Sequence, residues 1–149
     1  MKKTLVCLLS LAIATFALFA GAGCSDSSRY AKEIDIVIEK CNKIDDPDLL
    51  EKLSTKQEVL DHLMSTATEM KRIDTSRCPQ DFRIAYEHLV QAVEYMYTVY
   101  SGAPEGILDI LFGGSEFSDK AKNALERLQK ATGEVNESAA RYGAHNRVD

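Results

Sequence analysis

Apolar residues in this chain recur at spacings of three and four, and nowhere do they alternate convincingly. The clearest stripe is Phe82, Tyr86, Leu89, Val93, Met96 and Tyr100. That spacing places all six on one face of a helix, because an α-helix turns once every ~3.6 residues. Ala85 and Ala92 lie beside the stripe and allow another helix to approach closely.

The same pattern extends across most of the chain. Ile34, Val37, Ile38 and Cys41 mark a first helix, ended by Asp45-Asp46-Pro47, because the residue before proline avoids helical geometry. Pro47 then opens a short helical turn through Leu49, Leu50 and Leu53. Ser54-Thr55-Lys56-Gln57-Glu58 contains two overlapping capping boxes. They start a second helix whose apolar face is Val59, Leu60, Leu63, Met64, Ala67, Met70 and Ile73. After a break at Asp74-Thr75-Ser76, Pro79 suits the first position of the third helix and Asp81 suits its positive terminus. Ser101-Gly102-Ala103-Pro104 stops that helix. A fourth carries Ala121, Ala124, Leu125, Leu128, Ala131 and Val135 in register. The expectation is an all-α, up-and-down four-helix bundle. It has one short extra helix before the second helix and another between the third and fourth.

The first two dozen residues are of another kind. Lys2 and Lys3 precede an almost unbroken apolar run from Leu5 to Ala20, and the small residues Gly21, Ala22 and Gly23 follow. Charged start, apolar middle and small-residue end form a secretory signal peptide. Gly21-Ala22-Gly23-Cys24 resembles the lipobox of bacterial lipoproteins, with Ala22, Gly23 and Cys24 matching its last three positions. The resemblance covers residues 1–24 only. It implies diacylglycerol on the Cys24 thiol and cleavage before that residue. With Ser25 rather than Asp next, it implies the periplasmic face of the outer membrane if the cell is Gram-negative. Gly21 departs from the pattern, where an aliphatic residue is usual. Two rivals therefore stay open: Ala20-Gly21-Ala22 as a site for the ordinary signal peptidase, and Thr4 to Gly23 as a retained membrane anchor. The expected organisation is a signal peptide over 1–23, a lipid-anchored tether over 24–29, a helical domain over 30–141 and a flexible tail over 142–149.

Removing the signal peptide changes the charge. Without Lys2 and Lys3 the eighteen basic residues fall to sixteen against twenty-three acidic, a net −7 in place of −5. An acidic domain lacks the cationic field that phosphate backbones and anionic lipid surfaces attract. Nucleic acid is not an expected partner.

Cys7 leaves with the signal peptide and Cys24 carries lipid, so Cys41 and Cys78 are the remaining pair. Outside the cytoplasm such a pair is a candidate disulfide. In a plain bundle, however, the whole second helix would separate them. A bond therefore requires the Ile44–Leu53 link to run back along the bundle. No CxxC or CxxCH is present, and no phosphate loop or nucleophilic triad, so neither a catalytic residue nor a cofactor is implied.

Glu58 with His62, and Glu87 with His88, place carboxylate beside imidazole on two helices. Neither histidine follows a Glu by three residues, as di-iron bundles require. Two features point instead to binding a partner. Tyr95 and Tyr97 leave the helix at widely different angles, so one ring reaches a surface or groove. The link from Ser101 to Phe117 contains Ile107, Leu108, Ile110, Leu111 and Phe112 before Gly113-Gly114, which suits a cap on the bundle or a hinged flap for a partner or lipid. The expected function is a non-enzymatic, lipid-anchored interaction module of the cell envelope with a protein partner there. The alternative is a small-ligand or metal-binding bundle of the periplasm.

Overall fold

A computed structural model describes residues 26–44, 55–103 and 115–148. It is an all-helical bundle of four helices, with no strand among the described residues: α1 (Asp26–Ile44), α2 (Lys56–Arg72), α3 (Gln80–Ser101) and α4 (Ser115–Arg141). The two short extra helices expected around Leu49–Leu53 and Ile107–Phe112 fall outside the described residues.

Local signals in the sequence set the helix ends. At α2 the Thr55 register of the two capping boxes is the one formed. Thr55 Oγ1 accepts from the Glu58 N–H at 3.2 Å, and Glu58 Oε2 accepts from the Thr55 N–H at 3.0 Å. Two of the orphan donors of the first turn are thereby satisfied. Pro79 sits one position earlier than expected, as the N-cap of α3, and its carbonyl accepts the first helical bond from Arg83. At the other end of α3, Lys56 Nζ donates to the Ser101 and Ala103 carbonyls. A cation thus meets the negative end of the helix.

These contacts also fix direction. The start of α2 meets the end of α3 through Lys56, and Tyr86 near the start of α3 donates to the Met70 carbonyl near the end of α2, at 3.0 Å. α2 and α3 therefore run antiparallel. α3 and α4 do so too, because Asp81 meets Ser138 and Tyr142 while Tyr95 meets Arg127.

The core is shared by all four helices. Phe82, Ile34, Ile38 and Val135 are the largest apolar side chains fully withdrawn from solvent, joined by Val37, Met70, Tyr86 and Leu89. Each contributes about 1.5–3 kcal/mol relative to exposure. Along the expected α3 stripe, Phe82, Tyr86, Leu89 and Val93 are buried, while Met96 and Tyr100 are half-buried. Met64, expected on the apolar face of α2, is 50 % exposed.

Both expected boundaries of the domain move outward. Asp26 to Arg29, read as tether, already form the first turn of α1. The segment after Arg141, read as a flexible tail, is docked through Val148. Gly143, at φ +76°, ends α4: its N–H donates to the Ala140 carbonyl, and the Ala144 N–H to the Ala139 carbonyl. This pair of bonds is a Schellman closure, and it needs a left-handed residue that glycine supplies without strain. Ala144 and Val148 are buried in the core. Asp35 Oδ1 accepts from the His145 and Asn146 N–H groups at 2.8 and 2.7 Å, and Asn42 Nδ2 donates to the Arg147 carbonyl at 2.7 Å. Asn136 closes the clasp from α4, donating to the Val148 carbonyl and accepting from its N–H.

Candidate functional site

α3 and α4 present small residues to each other at mid-length, Ala92 and Ala131, both buried. With no bulk there, larger neighbours on either side stand up as walls. An open groove of about 260 Å³ results, lined by His88, Gln91, Tyr95, Arg127, Lys130 and Glu134 around the two alanines. At one end His88 Nδ1 meets Glu134 Oε2 at 2.8 Å, with Lys130 3.8 Å from the same carboxylate. At the other end the Arg127 guanidinium lies 4.2 Å from the centre of the Tyr95 ring. Such cation–π stacking contributes about 0.5–1 kcal/mol at an exposed site, and it holds the ring in a fixed pose.

The groove is shallow and open, and on its walls His88 and Lys130 pair with Glu134, and Arg127 with Tyr95. It contains no serine or cysteine nucleophile beside a base. It does not enclose a ligand as a small-molecule pocket does. A fixed aromatic ring with charged rims suits side chains arriving from another protein surface. A second open depression of about 360 Å³ lies on α2, bordered by Asp61, Met64, Ser65, Thr68, Glu69 and Arg72.

The sequence-derived candidates fare differently. Tyr95 lines the groove, and Tyr97, two residues on, is half-buried and does not. Cys24, Ile107, Leu108, Ile110, Leu111 and Phe112 lie outside the described residues. No disulfide joins Cys41 and Cys78, and both are buried. Their separation nevertheless differs from expectation, because α2 does not hold them apart. α1 ends alongside Met70 and Tyr86, so both thiols belong to one core cluster. Cys78 feels the Glu33 carboxylate, whereas Cys41 touches the Tyr86 hydroxyl. Burial, then the Glu33 and Asp74 carboxylates, push the Cys78 thiol up to about 11. At neutral pH it is a thiol rather than a nucleophilic thiolate.

Among the described residues no three of His, Cys, Asp or Glu come together as ligands. The carboxylate that His88 meets is Glu134 of α4, not its neighbour Glu87. Sequence reading missed that partner because the two residues lie 46 positions apart.

A third cluster also went unseen. Asp81 Oδ1 accepts from the Tyr142 hydroxyl at 2.8 Å, Asp81 Oδ2 accepts from Ser138 at 3.2 Å, and Arg141 lies 3.5 Å away. Burial raises this carboxyl, but the bonds from Tyr142, the Phe82 N–H and Ser138, with Arg141, outweigh it and hold it below the usual range. Asp81 was legible only as a helix-terminus charge. No protein-family model, curated protein or solved structure matches this chain.

Proposed function

We propose that this chain is a lipid-anchored, non-enzymatic interaction module of the cell envelope, presenting the α3–α4 groove to a protein partner. The observation that carries the reading is Gly21-Ala22-Gly23-Cys24 closing the apolar run. Acyl chains on Cys24 would hold the protein at the membrane, each buried methylene contributing ~0.8 kcal/mol. Among the described residues no helix is long and apolar enough to cross a membrane. The outer-membrane address follows from Ser25 if the cell is Gram-negative.

The finer architecture belongs to the same proposal. We read the bundle as up-and-down, supported by the two antiparallel pairs. Short helices over Leu49–Leu53 and Ile107–Phe112 complete it, the second serving as cap or partner flap. The paired, open groove favours a protein partner over the small-ligand or metal alternative.

Mass spectrometry of the mature amino terminus tests the anchor. The expected species begins at Cys24 and carries diacylglycerol, and Cys24→Ser moves the protein out of the membrane fraction. An unmodified amino terminus at Gly23 would overturn it. Crosslinking in the native envelope tests the groove: a partner captured by wild type and lost with Tyr95→Ala supports it, whereas capture indifferent to Tyr95 refutes it.

A further inference from the structure

The negative charge of the mature chain is unevenly placed. One end of the bundle is formed by the start of α1, the α2–α3 turn and the last turn of α4. Three contacts bring these together: Tyr30 against Tyr142 with ring centres 5.7 Å apart, Glu33 with Arg77 at 3.9 Å, and Asp81 with Arg141 at 3.5 Å. This end displays Arg29, Lys32, Arg72, Arg77, Arg83 and Arg141, all exposed. Its acids each hold a partner, although Asp74 stays exposed. Glu33 faces Arg77, Asp74 accepts from the Ser76 N–H at 2.9 Å, and Asp81 takes Tyr142, Ser138 and Arg141. Among the described residues Arg29, Lys32, Arg72 and Arg83 enter no ion pair, and Arg77 remains 73 % exposed. Even with Asp26 counted at the start of α1, basic groups exceed acidic ones here.

The anchor point lies at this same end. Only Ser25 separates Cys24 from Asp26, the first residue of α1, so the two Cα atoms are at most ~7 Å apart. We propose that this basic end is a docking surface for the anionic phospholipid headgroups around the anchor. The inference rests on the lipid-anchored reading of Cys24. Arginine suits the task because its planar fork pairs with phosphate oxygens. A net acidic domain does not prevent docking, since charges beyond the ~8–10 Å screening length contribute little at the membrane. Docking also sets an orientation. Tyr95 lies fourteen residues along α3 from Asp81, so the groove stands ~20 Å off the surface, facing the envelope space.

The test uses mature lipidated protein in vesicles carrying nitroxide-labelled headgroups, with a fluorophore on S76C in the α2–α3 turn or on Q57C at the opposite end. Flotation and mass spectrometry establish anchoring in every sample. With anionic phospholipid present, the S76C label is expected to be quenched and the Q57C label not. The difference should collapse in vesicles of zwitterionic lipid or in ~1 M salt, where screening shortens to ~3 Å. Each of R29Q, R77Q and R83Q should lower the docked-to-free ratio about five-fold. Melting curves should show these variants folded, since none of the three side chains is buried. Equal quenching at both labels, or quenching indifferent to headgroup charge in protein that floats, overturns the docking surface and leaves the anchor standing. Protein without lipid on Cys24 overturns both.

Discussion

Asp81, in the first turn of α3, receives the Tyr142 hydroxyl at 2.8 Å from just beyond the last turn of α4. One carboxylate thus ties the start of one helix to the end of another. Hydrogen bonds to charged groups contribute about 1.5–3 kcal/mol, and partial exposure at Asp81 reduces this to about 1. Asp81→Asn and Tyr142→Phe should each destabilise by about 1 kcal/mol, with non-additive effects in a double-mutant cycle followed by urea unfolding. Additive losses would show the bond to be energetically silent.

The same pair predicts a pH dependence. The Asp81 carboxyl is held below its usual value, so its stabilisation is present above the unfolded value of ~4 and is lost as pH falls through the folded one. The Tyr142 phenol is raised, first by its bond to Asp81. Its contribution is therefore present below ~10 and fades as pH climbs through the raised value. Urea midpoints of wild type and Asp81→Asn should differ at neutral pH and converge in acid. A difference undiminished at the acid limit would dissociate Asp81 from the effect.

Gly143 provides a test of the carboxy-terminal clasp. A Cβ there meets nothing within 4 Å, so Gly143→Ala adds no clash and reports only the left-handed backbone, a cost of about 1–2 kcal/mol. Removing residues 144–148 should cost more, since it takes the buried Ala144 and Val148 out of the core and leaves Asp35 without its donors. Thermal melts should rank the truncation below Gly143→Ala and both below wild type. A truncated chain as stable as the intact one would return the segment to the status of a tail.

The thiols make a stoichiometric prediction. Lipidated protein should show almost no reaction with a thiol reagent when folded, and two equivalents per chain in denaturant, from Cys41 and Cys78. No equivalents after denaturation without reductant would reveal a disulfide.

Tyr95→Ala with Arg127→Ala should shift stability by less than ~1 kcal/mol, because the pair is solvent-facing. It should nonetheless abolish partner capture. Loss of folding in melting curves would reassign the groove to structure.

The helices were legible because their signals are local. The α3 stripe from Phe82 to Val93 and the Thr55–Glu58 box each lie within a few turns, so spacing alone finds them. What spacing cannot find is a partner supplied from far along the chain. His88 was read against Glu87 because Glu134 is distant in sequence, and Asp35 gave no hint that it would cap the backbone at His145 and Asn146. Gly143 was the one overlooked local signal: a glycine just past a helical stripe, with apolar Ala139 four residues before it and Ala144 directly after, marks a closure and a change of direction. The thiols were misplaced for a geometric reason, since α1 ends beside Met70 instead of reaching the level at which α2 begins.

The clasp has a consequence for the order in which this protein can be completed. A ribosome releases α1 before α4, yet the groups that secure α1, the N–H of His145 and Asn146 and the carbonyl of Arg147, lie beyond α4. α1 is therefore made before the groups that lock it. Until the segment beyond Gly143 is free, Asp35 lacks the donors that tie α1 to the end of α4.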